Sequence, residues 1–331
     1  MIHKVLNGTV SEDVQTTFTM QLSIFALAAV CIPLTTAAPS LLSGCGKGHA
    51  AGFHDSQSAT ATLVSNNKTR RYAVQVPKNY KPAHPYPVIF DFHSASDTPR
   101  DQRDNSAYFN YTNDYLVVYP RGLGLSWQGP AYATKGVNDL LFTTDLLAHI
   151  RGAYCVDQAR VYASGKSNGG GFVDTLACSD AGDGFAAFAT ASPALYTDLN
   201  ITACHGKKRA ILEVHGNKDT TTPYHPTAHA RGGAVPDIGK WVSWWGQRDC
   251  GTGAKAVVDT KNAKYNVTSY SCEGRSGVVQ HYRLADGGHC WPSPKGLNFD
   301  GRDGHCKGAR SLDFTAKVLW FFGNFTLQNA P

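Results

Sequence analysis

With 331 residues, the chain exceeds a typical single domain but stays within the range of one α/β unit. Hydrophobic residues make up 42% of it and charged residues 17%, a balance that supports a sizeable core and excludes a disordered or fibrous chain. The formal charge of +6 is gathered into no run of Lys or Arg, which argues against a nucleic-acid partner.

The first recognisable element is a leader. Gln21 to Ala38 reads QLSIFALAAVCIPLTTAA, an apolar stretch ending in small residues. It is too short and wrongly flanked for a membrane span, so a secretory signal is expected. Residues 1–19 are polar and precede a second methionine, Met20, as an N-terminal extension of the reading frame would. The chain is therefore divided into a leader, 1–37, and one domain, 38–331. No later apolar run is long enough to span a bilayer, so an extracellular protein with no membrane partner is expected.

Short β-like runs then alternate with helical ones. Tyr72 to Val76, Val88 to Phe92 and Tyr115 to Tyr119 read as strands. Val137 to Arg151 reads as a helix, with Leu140, Leu141, Leu146, Leu147 and Ile150 as its apolar face. Val161 to Ala163 is a strand, followed by a helix from Phe172 to Cys178. Strands at Phe185 to Ala189, Ala210 to Val214 and Val278 to Leu284 follow, with helices at Ile238 to Arg248 and Leu312 to Phe325. Trp241, Trp244, Trp245 and Trp320 fall in these last two helical patterns and read as core. The alternation predicts an α/β fold with a mostly parallel central sheet and helices on both faces. Reactive residues of such a sheet gather at the carboxyl ends of its strands.

Three segments meet that expectation. Gly165-Lys166-Ser167-Asn168-Gly169 lies between a strand and a helix, the setting of a nucleophile elbow. A serine hydroxyl needs a base and an exposed, strained turn to attack, and the small flanking residues leave room for that turn. The strand ending at Val214 leads into His215-Gly216-Asn217-Lys218-Asp219, so Asp219 is the candidate orienting acid, with Asp198 and Asp237 as competitors. Asp286-Gly287-Gly288-His289 follows the last strand, so His289 is the candidate base, with His281 and His305 as rivals. The order Ser…Asp…His is that of a catalytic triad on such a sheet. The oxyanion hole is expected from the backbone N–H of Asn168 and from Ser94 or Ala95 after the strand ending at Phe92. Many esterases carry His-Gly where this chain has His93-Ser94.

Eight cysteines remain beyond the leader: Cys45, Cys155, Cys178, Cys204, Cys250, Cys272, Cys290 and Cys306. In a secreted chain they predict disulfides, although their connectivity is not readable beyond a guess of Cys290 with Cys306. Zinc is a competing reading of His289-Cys290 and His305-Cys306, but neither a C-x-x-C nor an H-E-x-x-H spacing occurs. No metal and no cofactor is expected. Sequons at Asn67, Asn110, Asn200, Asn266 and Asn324 suggest a glycosylated surface.

The segments DFHSAS, YPRGLGLSWQGPAY, RVYASGKSNGGGF, LEVHGNKDTTTPY and GGHCWPS occur in one order over about 200 residues. Together they resemble the fungal feruloyl esterases of carbohydrate esterase family one, kin to acetylxylan esterases and polyhydroxyalkanoate depolymerases. The resemblance implies an α/β-hydrolase fold, a triad on Ser167, Asp219 and His289, and feruloylated or p-coumaroylated plant xylan as substrate. It leaves an acetylxylan esterase or a polyester depolymerase as alternatives, and a non-catalytic wall-binding protein as a remote one. Trp127, Tyr224 and Trp291 are candidate platforms for a phenolic ring or a sugar. A monomer is expected.

Overall fold

The central strands form because β-branched and aromatic residues alternate between two buried faces. In the computed structural model, residues 44–55, 61–196, 204, 207–294, 300 and 311–331 are described. The expected leader lies outside them, as do Asp198, Asn200, His305 and Cys306. The unit Leu41–Pro331 carries every element below.

The strands are β1 (Gly52–His54), β2 (Thr62–Ser65), β3 (Lys68–Val76), β4 (Tyr86–Phe92), β5 (Leu116–Arg121) and β6 (Val156–Lys166). They continue with β7 (Ala187–Ala191), β8 (Ile211–Gly216), β9 (Thr227–Ala230), β10 (Gly233–Val235), β11 (Val257–Asp259), β12 (Tyr265–Cys272) and β13 (Arg275–Leu284). Helices α1 (Pro99–Ser106), α2 (Asp139–Ala153), α3 (Asn168–Ala177), α4 (Ile238–Cys250) and α5 (Phe314–Phe322) join them. Eleven strands form one sheet in the order β1-β3-β5-β4-β6-β7-β8-β13-β12-β11, with β2 paired to β3. The run from β5 through β13 is parallel, and the strands outside it are antiparallel. The predicted mostly parallel sheet is therefore present, extended at both edges.

Successive residues point to opposite faces, and the core divides accordingly. Val88, Phe90 and Phe92 of β4 join Val161 and Ala163 of β6 on one face, under Phe142 and Leu146 of α2, Phe172 of α3 and Trp245 of α4. Ile89 of β4, Tyr162 of β6 and Leu212 of β8 lie on the other, under Phe314, Val318 and Phe322 of α5. Helices thus cover both faces, as expected of an α/β-hydrolase fold. Trp241 and Trp245 are buried and donate to Asp174 Oδ1 at 3.2 and 3.0 Å, and Trp244 is half-buried. Trp320 corrects the sequence reading: it is 60% exposed, because α5 turns only one side to the sheet.

The chain reverses its direction of travel across the sheet at β4. After β4 it moves to β5 on one side, then crosses to β6 on the other. Such a switch point opens a crevice at the carboxyl ends of the two strands. Phe92 and Gly165 pair there in register, so the loop after β4 and the turn after β6 are neighbours.

Three disulfides join Cys45 to Cys155, Cys178 to Cys204, and Cys250 to Cys272. Cys290 is also in a disulfide, and its guessed partner Cys306 lies outside the described residues. The sequon residues Asn67, Asn110, Asn266 and Asn324 are all exposed.

Candidate active site

The turn from β6 into α3 places Ser167 at φ 54° and ψ −121°, a conformation that L-residues avoid. Its backbone is fixed on both sides: Ser167 N–H donates to the Ala191 carbonyl at 3.0 Å, and its carbonyl accepts from Gly171 and Ala194 N–H. The turn closes because Gly169 packs against β4, where a Cβ would collide with the Phe92 carbonyl oxygen. The result is the strained strand-to-helix elbow that the spacing predicts.

The candidate acid and the candidate base follow two neighbouring parallel strands. β8 ends at Gly216 and β13 at Leu284, and the loops beyond them are stitched together. Asn217 N–H donates to the Leu284 carbonyl at 2.8 Å, and Lys218 N–H to the Gly287 carbonyl at 2.9 Å. Gly216 permits this, because a Cβ there would strike the Gly287 backbone. The two loops bring Asp219 and His289 together: the Nδ1–H of His289 donates to Asp219 Oδ2 at 2.8 Å. Asp219 also accepts from Thr221 N–H, Thr222 N–H and the Thr222 hydroxyl at 2.8, 2.9 and 3.1 Å.

These contacts set the charges. Burial works to raise the Asp219 pKa, but the hydrogen bond and charge of His289 and the charge of His215 outweigh it and hold it at about 2. Burial lowers the His289 pKa below its ordinary value against the opposing pull of Asp219. With Nδ1–H committed to an ionised carboxylate, Nε2 carries the lone pair a general base needs. Of the competing residues, Asp237 caps α4 by accepting from Lys240 N–H at 2.9 Å, and His281 is buried within β13.

Backbone N–H groups of Ser94, Ala95 and Asn168 make no hydrogen bond among the described residues, which leaves them available as oxyanion donors. Trp127 joins the two sides of this cradle. Its Nε1–H donates to the His93 carbonyl at 2.9 Å, and its N–H donates to Asn168 Oδ1 at 2.7 Å. His93 is fully buried, with Nδ1–H donating to the Ser94 carbonyl and Nε2 accepting from Gly122 N–H at 3.0 Å. Burial pushes its pKa down to about 4, so it stays neutral and braces the loop.

The proposed aromatic platforms are corrected by their burial. Trp127 and Trp291 are both 0% exposed, and Tyr224 is 6% exposed. The Trp127 ring stacks on Phe172 at 5.3 Å, Trp291 Nε1–H donates to Thr315 Oγ1 at 2.9 Å, and the Tyr224 hydroxyl pairs with His281 Nε2 at 3.0 Å. Each ring is consumed by internal packing and offers no open face.

The sequence reading missed three groups that shape the site. Thr222 stands three residues after Asp219, a spacing typical of a side-chain-closed turn and the one local signal available. His93 holds the oxyanion loop. Lys166, directly before the nucleophile, is buried against Asp300 at 2.6 Å, and Asp300 Oδ2 accepts Trp291 N–H at 2.7 Å. That pair ties the elbow to the loop carrying the base, across a separation of 134 residues that no local pattern reports.

No family model matches the chain. It is 29% identical to feruloyl esterase D of Neurospora crassa over 56% of this chain and 63% of that one, so the match spans somewhat under two thirds of that relative. It is 25% identical to feruloyl esterase C of Emericella nidulans over 70% of this chain and 82% of that one. A bifunctional acetylxylan esterase/xylanase of Neocallimastix patriciarum is 29% identical over 46% of this chain and 22% of its own length. Among solved structures, an acetyl xylan esterase from Aspergillus awamori superposes with a TM-score of 0.56 at 15% identity, over 82% of this chain and 99% of that one. That likeness establishes the fold. The chain is thus similar in sequence to fungal feruloyl esterases and has the α/β-hydrolase fold.

Proposed function

We propose that the chain is a secreted serine esterase that releases ferulic or p-coumaric acid from plant cell-wall polysaccharide through an acyl-enzyme. The observation that carries the chemistry is the ionised Asp219 bonded to His289 Nδ1, on loops at the same end of the sheet as the strained Ser167. His289 Nε2 takes the Ser167 proton as Oγ attacks the ester carbonyl. The N–H of Asn168 and that of Ser94 or Ala95 receive the developing oxyanion. The imidazolium then protonates the departing sugar oxygen as its bond to the acyl carbon breaks, and water hydrolyses the acyl-enzyme by the same route with Asp219 orienting the ring throughout.

The acyl group rests on the named relatives, two of which are feruloyl esterases. The leader, the disulfides and the exposed sequons support export and glycosylation, and the domain is read as a monomer. Burial of Trp127, Tyr224 and Trp291 favours one second reading, an esterase for a smaller acyl group such as acetate. Turnover of methyl ferulate against an aryl acetate separates the two. Efficient release of ferulate supports the first reading. Rapid acetate hydrolysis with negligible ferulate release would overturn it.

A further inference from the structure

Beneath the triad lies a buried polar cluster that the esterase mechanism leaves unassigned. Glu213 and His215 project from one face of β8, and His281 stands in register beside Glu213 on β13. Glu213 and His215 are 0% exposed and His281 is 2% exposed. Glu213 Oε1 lies 3.0 Å from His215 Nδ1, and Glu213 Oε2 is bonded to His281 Nδ1. His281 Nε2 meets the Tyr224 hydroxyl at 3.0 Å. On its other side, His215 Nε2 lies 2.7 Å from the Thr222 carbonyl and 3.5 Å from Asp219 Oδ2.

Counting donors and acceptors narrows the protonation to two states: an ionised Glu213 beside a doubly protonated His215, or a neutral Glu213 donating to His215 Nδ1. A carbonyl oxygen only accepts, so His215 Nε2 must carry a proton toward Thr222. Glu213 faces imidazole nitrogens at both oxygens. His281 is satisfied by accepting the Tyr224 proton at Nε2 and donating from Nδ1, which leaves Glu213 as an acceptor there. An ionised Glu213 then accepts from His215 Nδ1–H as well, and His215 carries both protons. A buried carboxylate without a cation would be costly, and this arrangement supplies one.

We propose that His215 is a positioning residue of the esterase site, a permanently doubly protonated ring that holds Asp219 ionised and fixed beneath His289. The assignment rests on the reading of Asp219 as the triad acid. The other charged or titratable groups around the cluster are few. Arg283 on β13 lies over the Tyr224 ring at 4.1 Å and donates to Asn217 Oδ1, His225 packs on Tyr224, and Asp237 at the start of α4 acts on Tyr224 electrostatically. The electrostatics agree in direction: burial would lower the His215 pKa, yet Glu213, Asp219 and the Thr222 carbonyl raise it overall.

Two measurements test this on the whole protein. With 15N-labelled histidine, both His215 nitrogens are expected to remain protonated at pH 8, where an ordinary imidazole has lost one proton. A lone pair on either nitrogen at that pH overturns the proposal, and this arm needs no variant to fold. The second arm compares pH profiles of kcat/KM for His215→Asn and Glu213→Gln. Without the cation, Asp219 holds the His289 proton more tightly, so the acid limb should move up by about half a pH unit or more. We expect kcat to fall roughly tenfold with KM within about twofold. A uniform loss of rate with an unmoved limb would indicate mere structural support and overturn the proposal. Failure of the esterase reading looks different: Ser167→Ala would hydrolyse esters as fast as the parent, whatever the His215 nitrogens show.

Discussion

Ser167 holds a backbone conformation that costs about 1–3 kcal/mol for a non-glycine residue, and it keeps it because β7, α3 and the Pro193–Ala194 segment over-determine the turn. In the proposed mechanism that strain presents the nucleophile, so relieving it should separate stability from activity. Ser167→Gly is expected to raise stability by about 1 kcal/mol in urea unfolding while abolishing hydrolysis, and a destabilised variant would contradict the strain argument. The base makes a second prediction at this scale. In the proposed mechanism His289 acts when neutral, and burial depresses its pKa below the ordinary 6.5. Protonation on acidification therefore sets in late, and the acid limb of kcat/KM should fall below pH 6.5. A limb above that value would mean that Asp219 dominates over burial. The strand ends that carry Ser167, Asp219 and His289 were legible in the sequence because each follows a hydrophobic strand. Trp127, Tyr224 and Trp291 were misread because composition near a reactive residue does not say which way a ring points.

Among the elements, the elbow and the base loop are joined by the Lys166–Asp300 pair, 6% and 1% exposed. Breaking a buried pair leaves an uncompensated charge, so Lys166→Ala should cost about 3 kcal/mol or more, read from chemical denaturation. A loss below about 0.5 kcal/mol would show that Asp300 neutralises or finds another partner. Legibility differed sharply between elements. Helix α2 announced itself through a leucine-rich stripe, and the structure places it at Asp139–Ala153, with Leu146, Leu147 and Ile150 buried and Leu141 39% exposed. Helix α1, sequence PRDQRDNS, has no apolar stripe to detect. It forms through its ends instead: Pro99 opens it, and Thr98 and Asp101 cap each other's backbone N–H groups. Its polar face then becomes useful inside the fold, where Gln102 Nε2 donates to buried Asp91 at 2.9 Å. The outer strands β11 and β12 were missed for a related reason: β11 is wholly exposed and carries no buried alternation.

At the scale of the whole molecule, the site follows from topology. The switch at β4 puts the Ser94–Ala95 loop beside the elbow, and the parallel pair β8–β13 puts the Asp219 loop beside the His289 loop. Sequence periodicity pointed to the parallel sheet and so to the loops past its strand ends, but long-range pairing such as Cys45 with Cys155 had no local signature. That disulfide closes a loop of 110 residues and ties the start of the described chain to the strand leading into the elbow. Replacing both cysteines by serine should cost about 5 kcal/mol by the chain-entropy argument, read from urea unfolding of the oxidised protein. A negligible change would place the N-terminal segment outside the cooperative unit.

The central claim is that Ser167 is the nucleophile of an ester hydrolase, and covalent labelling tests it most directly. After treatment with an aryl phosphonate ester, peptide mass mapping should find one phosphonyl group on Ser167, appearing in step with loss of ester hydrolysis and absent from Ser167→Ala. Label on another residue, or hydrolysis undiminished in Ser167→Ala, would contradict the account.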